Sequence, residues 1–171
     1  MTRILFVCLG NICRSPMAEF IMKDLIEKEG ISGRFFIESA ATSGEEIGNP
    51  VYPPARRELS RHGISCGGKT ARKMQKSDYE RFDLLVGMEE SNLRRMRTIC
   101  GGDPDGKIVR LLDFTDRPAD IDDPWYTGDF STAWKEILRG CEGLLAYKQG
   151  RLIAAYRFGN GTLRHITTGC I

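Results

Sequence analysis

Ile4-Leu5-Phe6-Val7-Cys8-Leu9-Gly10-Asn11-Ile12-Cys13-Arg14-Ser15-Pro16-Met17 is the stretch that decides the fold. Its first four residues form a continuous apolar run, which fits a strand buried on both faces. A short glycine-containing loop follows, then Ser15-Pro16, the pairing of a serine cap with proline at the first helical position. Beyond it Met17, Phe20, Ile21 and Leu25 recur at helical spacing. Glu19, Lys23 and Glu27 take the other face at i,i+4 intervals, and Gly30 ends the run. The order is strand, loop, amphipathic helix.

Working outward, the alternation continues. Strands are expected at 35–40, 83–88 and 108–112, and helices at 54–62, closed by Gly63, at 90–99 and at 129–147. The last helix gathers Phe130, Trp134, Ile137, Leu138, Cys141, Leu144 and Leu145 on one face. Alternating strands and helices predict an α/β fold: a single-domain three-layer sandwich, a four-stranded parallel sheet with helices on both faces. Two stretches, 42–53 and 113–128, read as irregular. Both follow strands, and in open α/β sheets ligands bind beyond the strands' carboxyl ends, so these loops are the expected rims of a cleft.

A chain of 171 residues, 41% hydrophobic and 28% charged, suits one domain with a substantial core. With 25 basic and 23 acidic residues the charges nearly cancel, which argues against nucleic acid or a membrane surface as the main partner. No apolar stretch approaches the ~18 residues of a membrane helix. The asymmetry is local: no acid follows Glu142, and Lys148, Arg151, Arg157 and Arg164 make 148–171 a basic tail behind a domain expected over 1–147. In that tail Gly159-Asn160-Gly161 suits a hairpin, with a loosely held segment as the alternative. The six cysteines are scattered, with no C-x2-C pair, only His62 and His165 to complete a zinc set, and no secretory signal. A reducing cytoplasm is the expected compartment, and neither metal nor cofactor is called for.

The loop after the first strand places Cys8 at the strand end and Arg14 six positions on, at a helix N-terminus. Backbone N–H groups from Leu9 to Arg14, the positive end of the helix dipole and a planar guanidinium converge there on a tetrahedral oxyanion. The same field favours a thiolate over a thiol. A nucleophile beside a phosphate cradle implies phosphoryl transfer to sulfur, and the departing oxygen then needs an acid. Asp122-Asp123-Pro124-Trp125-Tyr126 on the second rim offers one: proline fixes the backbone beside Asp123, and the aromatic residues could wall the cleft.

With these residues assembled, the chain resembles the low-molecular-weight protein tyrosine phosphatases. The resemblance rests on the C-x5-R-S loop from Cys8 to Ser15, on Ser39-Ala40-Ala41-Thr42-Ser43, on Met88-Glu89-Glu90-Ser91-Asn92-Leu93, and on the late Asp123-Pro124. It implies that Cys8 is the nucleophile, that Arg14 clamps the phosphoryl group, and that Asp123 is general acid and then base. It also implies that Asn11, Ser15 and Ser39 hold the loop in shape, and that Cys13 can trap Cys8 in a reversible disulfide. The implied partner is a phosphotyrosine-containing protein or a small aryl phosphate. Two departures stand out: Glu45 where many members carry an aromatic wall residue, leaving Trp125 and Tyr126 as the aromatic side of the slot, and Lys69 where a histidine often precedes the x-A-R triplet.

Other readings are weaker. Gly63 to Thr70 satisfies G-x4-G-K-[ST], but that motif cradles phosphates only between a buried strand and a helix, and the residues upstream are charged and helical in pattern. An arsenate reductase would need a further cysteine pair near the third strand. A phosphoarginine phosphatase would typically carry threonine at Ile12. A non-catalytic phosphate-binding module would be expected to lack Cys8 or Asp123, and Asp122 stands beside Asp123 as an alternative acid.

Overall fold

Four strands pair edge to edge, the central two apolar and buried through most of their length and the edge two buried only in part. They are β1 (Thr2–Cys8), β2 (Phe35–Ala41), β3 (Leu84–Gly87) and β4 (Ile108–Arg110). The computed structural model describes residues 1–151 and, beyond them, the backbone of two short strands. The sheet order is β2-β1-β3-β4, all parallel, with Val7 and Cys8 opposite Ala40 and Ala41 and Val7 opposite Gly87.

Six helices complete the described chain: α1 (Arg14–Lys28), α2 (Pro53–Arg61), α3 (Asp78–Arg81), α4 (Glu90–Cys100), α5 (Pro124–Thr127) and α6 (Phe130–Lys148). Alternation along β1 divides the core. Ile4 and Phe6 pack with Met17 and Ile21 of α1 and with Ile137, Cys141 and Leu144 of α6, whereas Leu5 and Val7 pack with Tyr79, Phe82, Leu93 and Met96. Each large side chain so buried contributes roughly 1.5–3 kcal/mol. Helix α6 comes close to the 3-10 turn Leu111–Phe114 because two of its residues have no side chain. A Cβ on Gly140 would lie 2.5 Å from Leu111 Cγ, and one on Gly143 would lie 2.1 Å from the Phe114 carbonyl oxygen.

The three-layer sandwich is as expected, and the local differences have physical causes. Helix α1 starts at Arg14 with Cys13 as its cap residue, so Ser15 and Pro16 are the second and third helical residues rather than cap and first. The Ser15 hydroxyl is engaged inside the loop instead, and Pro16 is still within the first turn, where its missing N–H has no intrahelical partner to lose. The fourth strand is shorter than expected, because the chain turns into a 3-10 turn at Leu111. Two four-residue helices, α3 and α5, were not anticipated. The Walker-like segment follows α2 and contains no strand, so the requirement for a strand-to-helix loop is unmet. Most of the basic tail lies outside the described residues; β5 (Tyr156–Phe158) and β6 (Thr162–Arg164) pair antiparallel on either side of 159–161, which is itself outside them.

Candidate active site

The end of β1 delivers Cys8 to a turn that only a tightly held backbone can make. Asn11 adopts φ 59°, the left-handed region that a non-glycine residue occupies at a cost, and its side chain is fixed at both ends to hold it there. Its Nδ2 donates to Ser15 Oγ at 2.8 Å and to Ser39 Oγ at 2.9 Å, while its Oδ1 accepts the Arg72 backbone N–H at 3.1 Å. The Asn11 N–H points at Cys8 Sγ, 3.3 Å away. Ser15 Oγ, having accepted from Asn11, lies 3.0 Å from the same sulfur and is placed to donate to it. With the N-terminus of α1 behind, the sulfur faces donors that favour its anion.

Arg14 is almost wholly buried, with 1% of its surface exposed, and is held from three sides. Its Nη1 donates to Glu89 Oε2 at 2.5 Å and to the Ile121 carbonyl at 2.8 Å, and its Nη2 donates to Asp123 Oδ2 at 2.8 Å. Burial opposes its charge, but Cys8, Asp123 and Glu89 more than offset this and hold its pKa above the ordinary arginine value. Burial opposes the charge of Glu89 too, yet Ser91 and Arg14 bring its pKa below the usual carboxylate range. Burial, reinforced by Cys8 and Asp123, pushes the Cys13 thiol far above the ordinary range and disfavours its anion.

Behind the loop a polar chain runs into the core. Ser39 Oγ, which accepts from Asn11, donates to the buried carboxylate of Glu19 at 2.5 Å. Lys69 Nζ lies 3.1 Å from that carboxylate and donates to the Ser39 carbonyl at 3.1 Å, with Lys23 on the other carboxylate oxygen at 2.6 Å. The lysine at this departure from the family pattern is therefore joined to the loop support through Ser39.

Asp123 caps the short helix α5: its Oδ1 accepts the Trp125 N–H at 3.1 Å, and Pro124 supplies the first helical φ. Together these elements enclose a cavity of about 140 Å³. Cys8, Leu9, Gly10, Ile12, Cys13 and Arg14 form its floor, Asp123, Trp125 and Tyr126 one side, and Ser43, Glu45 and Glu46 the other. Every residue proposed from sequence as nucleophile, clamp, acid, cradle or wall thus borders one space, except Asn11, which stays within the loop with Ser15 and Ser39. Trp125 is half exposed and Tyr126 more so. Asp122 is exposed and borders a neighbouring cavity, which shares Leu9, Arg14, Asp123 and Tyr126 with the first but does not include Cys8.

Residues not anticipated from sequence are Glu89 and the Ile121 carbonyl, which aim Arg14; Glu19, which anchors Ser39; and Glu46, which packs against the loop where a Cβ on Gly10 would come within 3.4 Å of its Cγ. Only Glu89 had a local signal, at the start of a helix opening Glu89-Glu90-Ser91-Asn92.

The sequence profile of the low molecular weight phosphotyrosine protein phosphatases matches residues 3–152. This chain belongs to that family. Among relatives, the low molecular weight protein-tyrosine-phosphatase YfkJ of Bacillus subtilis is 43% identical over 148 residues, 85% of this chain and 95% of the relative. The human low molecular weight phosphotyrosine protein phosphatase is 40% identical over 147 residues, 83% of this chain and 92% of the relative. The YfkJ crystal structure superimposes with a TM-score of 0.85 over 88% of this chain and 96% of that one. A Drosophila arginine phosphatase also shares the family fold, with a TM-score of 0.78 at 28% identity over 87% and 98% of the two chains. The matched span contains the C-x5-R-S loop, Ser39 and the late Asp123-Pro124.

Proposed function

We propose that this protein is a protein-tyrosine phosphatase that hydrolyses aryl phosphate monoesters through a phosphocysteine intermediate. The observation that carries the reading is the convergence of Cys8, Arg14 and Asp123 on one cavity bordered by the loop that joins β1 to α1. The phosphate of the substrate rests on the N–H groups of the loop from Leu9 to Arg14 and on the Arg14 guanidinium. The Cys8 thiolate attacks phosphorus, the P–O bond to tyrosine breaks, and Asp123 gives its proton to the leaving phenoxide. The Asp123 carboxylate then takes a proton from water as that water attacks the phosphocysteine, releasing phosphate and restoring the thiolate.

Depth sets the substrate class. Cys8 lies at the cavity floor and is 3% exposed, so a long planar side chain reaches it while a serine phosphate falls short. Ile12 on the floor and Trp125 at the side offer apolar surface to a phenyl ring. Initial rates on phosphotyrosine, phosphoserine and phosphoarginine peptides test this directly. The expected result is a kcat/KM for phosphotyrosine about two orders of magnitude above that for phosphoserine. A higher value for phosphoarginine would instead assign the activity of the arginine-phosphatase relative.

Glu45 and Glu46 supply the opposite wall with negative charge where many family members place an aromatic residue at the first position. They favour basic residues beside the phosphotyrosine. Glu45→Gln is expected to reduce the preference for basic over acidic phosphotyrosine peptides by about two- to fivefold at low salt, the worth of an exposed pair. The difference should shrink in high salt. An unchanged ratio at low salt would remove Glu45 from peptide recognition.

Residues 1–147 serve as the catalytic unit in this reading, with 148–171 outside it. The bordering site residues run from Cys8 to Tyr126, which supports that division. We place the enzyme in the cytoplasm, where its thiolate stays reduced; the described cysteines carry no disulfide, and among the described residues no helix is long and apolar enough to cross a membrane. Cys13 borders the same cavity as Cys8, which supports the family's reversible disulfide as a refuge for an oxidised nucleophile.

A further inference from the structure

Trp125 does not stand alone as a cleft wall; it leans on Tyr52. The two ring centroids are 4.7 Å apart at an interplanar angle of 51°, and Phe130, the first residue of α6, lies 6.0 Å from Tyr52 on its other contact. Tyr52 is not among the residues bordering the cavity. Its backbone is nevertheless tied to the phosphate loop: its N–H donates to the Ile12 carbonyl at 2.9 Å, and its own carbonyl accepts from Arg56 N–H at 3.0 Å in the first turn of α2. Tyr52 and Phe130 also pack against the small cluster of Ile12, Cys13 and Ala71 beneath the loop.

We propose that Tyr52 is a positioning residue for the general acid. Its ring is the platform that fixes the Asp123–Trp125 arm to the phosphate loop and so sets where the proton of Asp123 meets the leaving oxygen. The inference rests on the assignment of Asp123 as that acid. The Ile121 end of the arm is held by Arg14 and by the Met88 carbonyl, Asp123 by Arg14 again, and the Trp125 ring by Tyr52. Once the phosphoryl group engages Arg14, the aromatic contact carries more of the arm's orientation. A misplacement of the acid by about 1 Å is enough to cost up to ~10²-fold in rate. The loop itself is held by Asn11 and Ser15 and by the Tyr52 backbone N–H on the Ile12 carbonyl, all of which survive a substitution of the ring; only the packing of that ring against Ile12 and Cys13 changes. The Tyr52 hydroxyl makes no hydrogen bond to the described residues, so the ring and not the oxygen is the working part.

The test is the burst rate of phenol release across aryl phosphates, from activated nitrophenyl esters to phenyl phosphate. Tyr52→Leu is expected to slow phenyl phosphate by about 10- to 100-fold and the nitrophenyl ester by less than about threefold, with vanadate inhibition unchanged. Tyr52→Phe should stay within about twofold of wild type on both. Equal losses across the series, or a Tyr52→Phe variant as impaired as Tyr52→Leu, would overturn the proposal. Retained vanadate affinity certifies the fold, and Tyr52→Met repeats the measurement with a more adaptable side chain should leucine destabilise the chain. Asp123→Ala, run alongside, separates the two assignments: if its own loss does not depend on the leaving group, the acid assignment fails rather than the role of Tyr52.

Discussion

Cys8→Ser is expected to bind phosphate and vanadate and to turn over substrate at about 10⁻⁴ of the wild-type rate or less, since loss of a covalent nucleophile removes the whole two-step route. The substitution keeps the size of the side chain, and a serine oxygen can take the same contacts from the Asn11 N–H and Ser15 hydroxyl. What it loses is the anion. Those donors, the helix terminus and Arg14 favour a thiolate, but a serine hydroxyl ionises too reluctantly for the same field to matter. Cys13 does not substitute, although it borders the same cavity, because burial beside Cys8 and Asp123 disfavours its charged form. Single-turnover measurements with a phosphotyrosine peptide decide the matter. Residual turnover within tenfold of wild type would mean that another group attacks phosphorus.

The parts of this molecule that could be read in the sequence are those whose cause is local. Ile4 to Val7 reads as a doubly buried strand because no polar residue interrupts it, and the structure buries all four completely. The alternation of strands and amphipathic helices then leaves little choice but a parallel sheet covered on both faces. Cys8, Arg14 and Asp123 could be named because a thiol, a guanidinium and an acid in that order carry a chemistry, and the family resemblance sharpened each to one position.

The parts that escaped have distant causes or conflicting ones. Ser15-Pro16 carries a cap signal, yet the hydroxyl is drawn to Cys8 and Asn11, and the helix starts one residue before the serine. Asp123-Pro124 carries the same signal and here it is honoured, producing α5 within a stretch read as irregular because its four residues end at once in Gly128 with φ 73°. Glu89 lies seventy-five residues from Arg14 along the chain and the Ile121 carbonyl lies farther, so no window of sequence shows that both converge on one guanidinium. Lys69 was visible only as a departure. The fold brings it to Glu19 and the Ser39 carbonyl, where an ammonium can serve both at once.

Asp123→Ala should cost on the order of 10²–10⁴ in kcat on phosphotyrosine, the usual worth of a positioned acid, and far less at the first step on an ester whose oxygen departs unprotonated. Alanine, however, removes more than a proton donor. It also removes the cap of α5, worth about 1 kcal/mol, and one of the Arg14 contacts, so a loss alone does not identify the role. Asp123→Asn separates the acid from the cap. An asparagine there accepts the Trp125 N–H through its amide oxygen and keeps the cap of α5, while its Nδ2 meets Arg14 Nη2 donor to donor, so the Arg14 contact is lost as in alanine; it has no proton to transfer to a phenoxide and cannot act as the base for water. Asn should therefore be nearly as inactive as Ala on phosphotyrosine, with the same relief on a nitrophenyl ester. Asp122→Ala, at an exposed side chain bordering the neighbouring cavity, should change neither rate by more than about twofold. If Asn restored turnover on phosphotyrosine, Asp123 would be a structural cap; if Asp122→Ala instead gave the leaving-group pattern, the acid would sit one residue earlier.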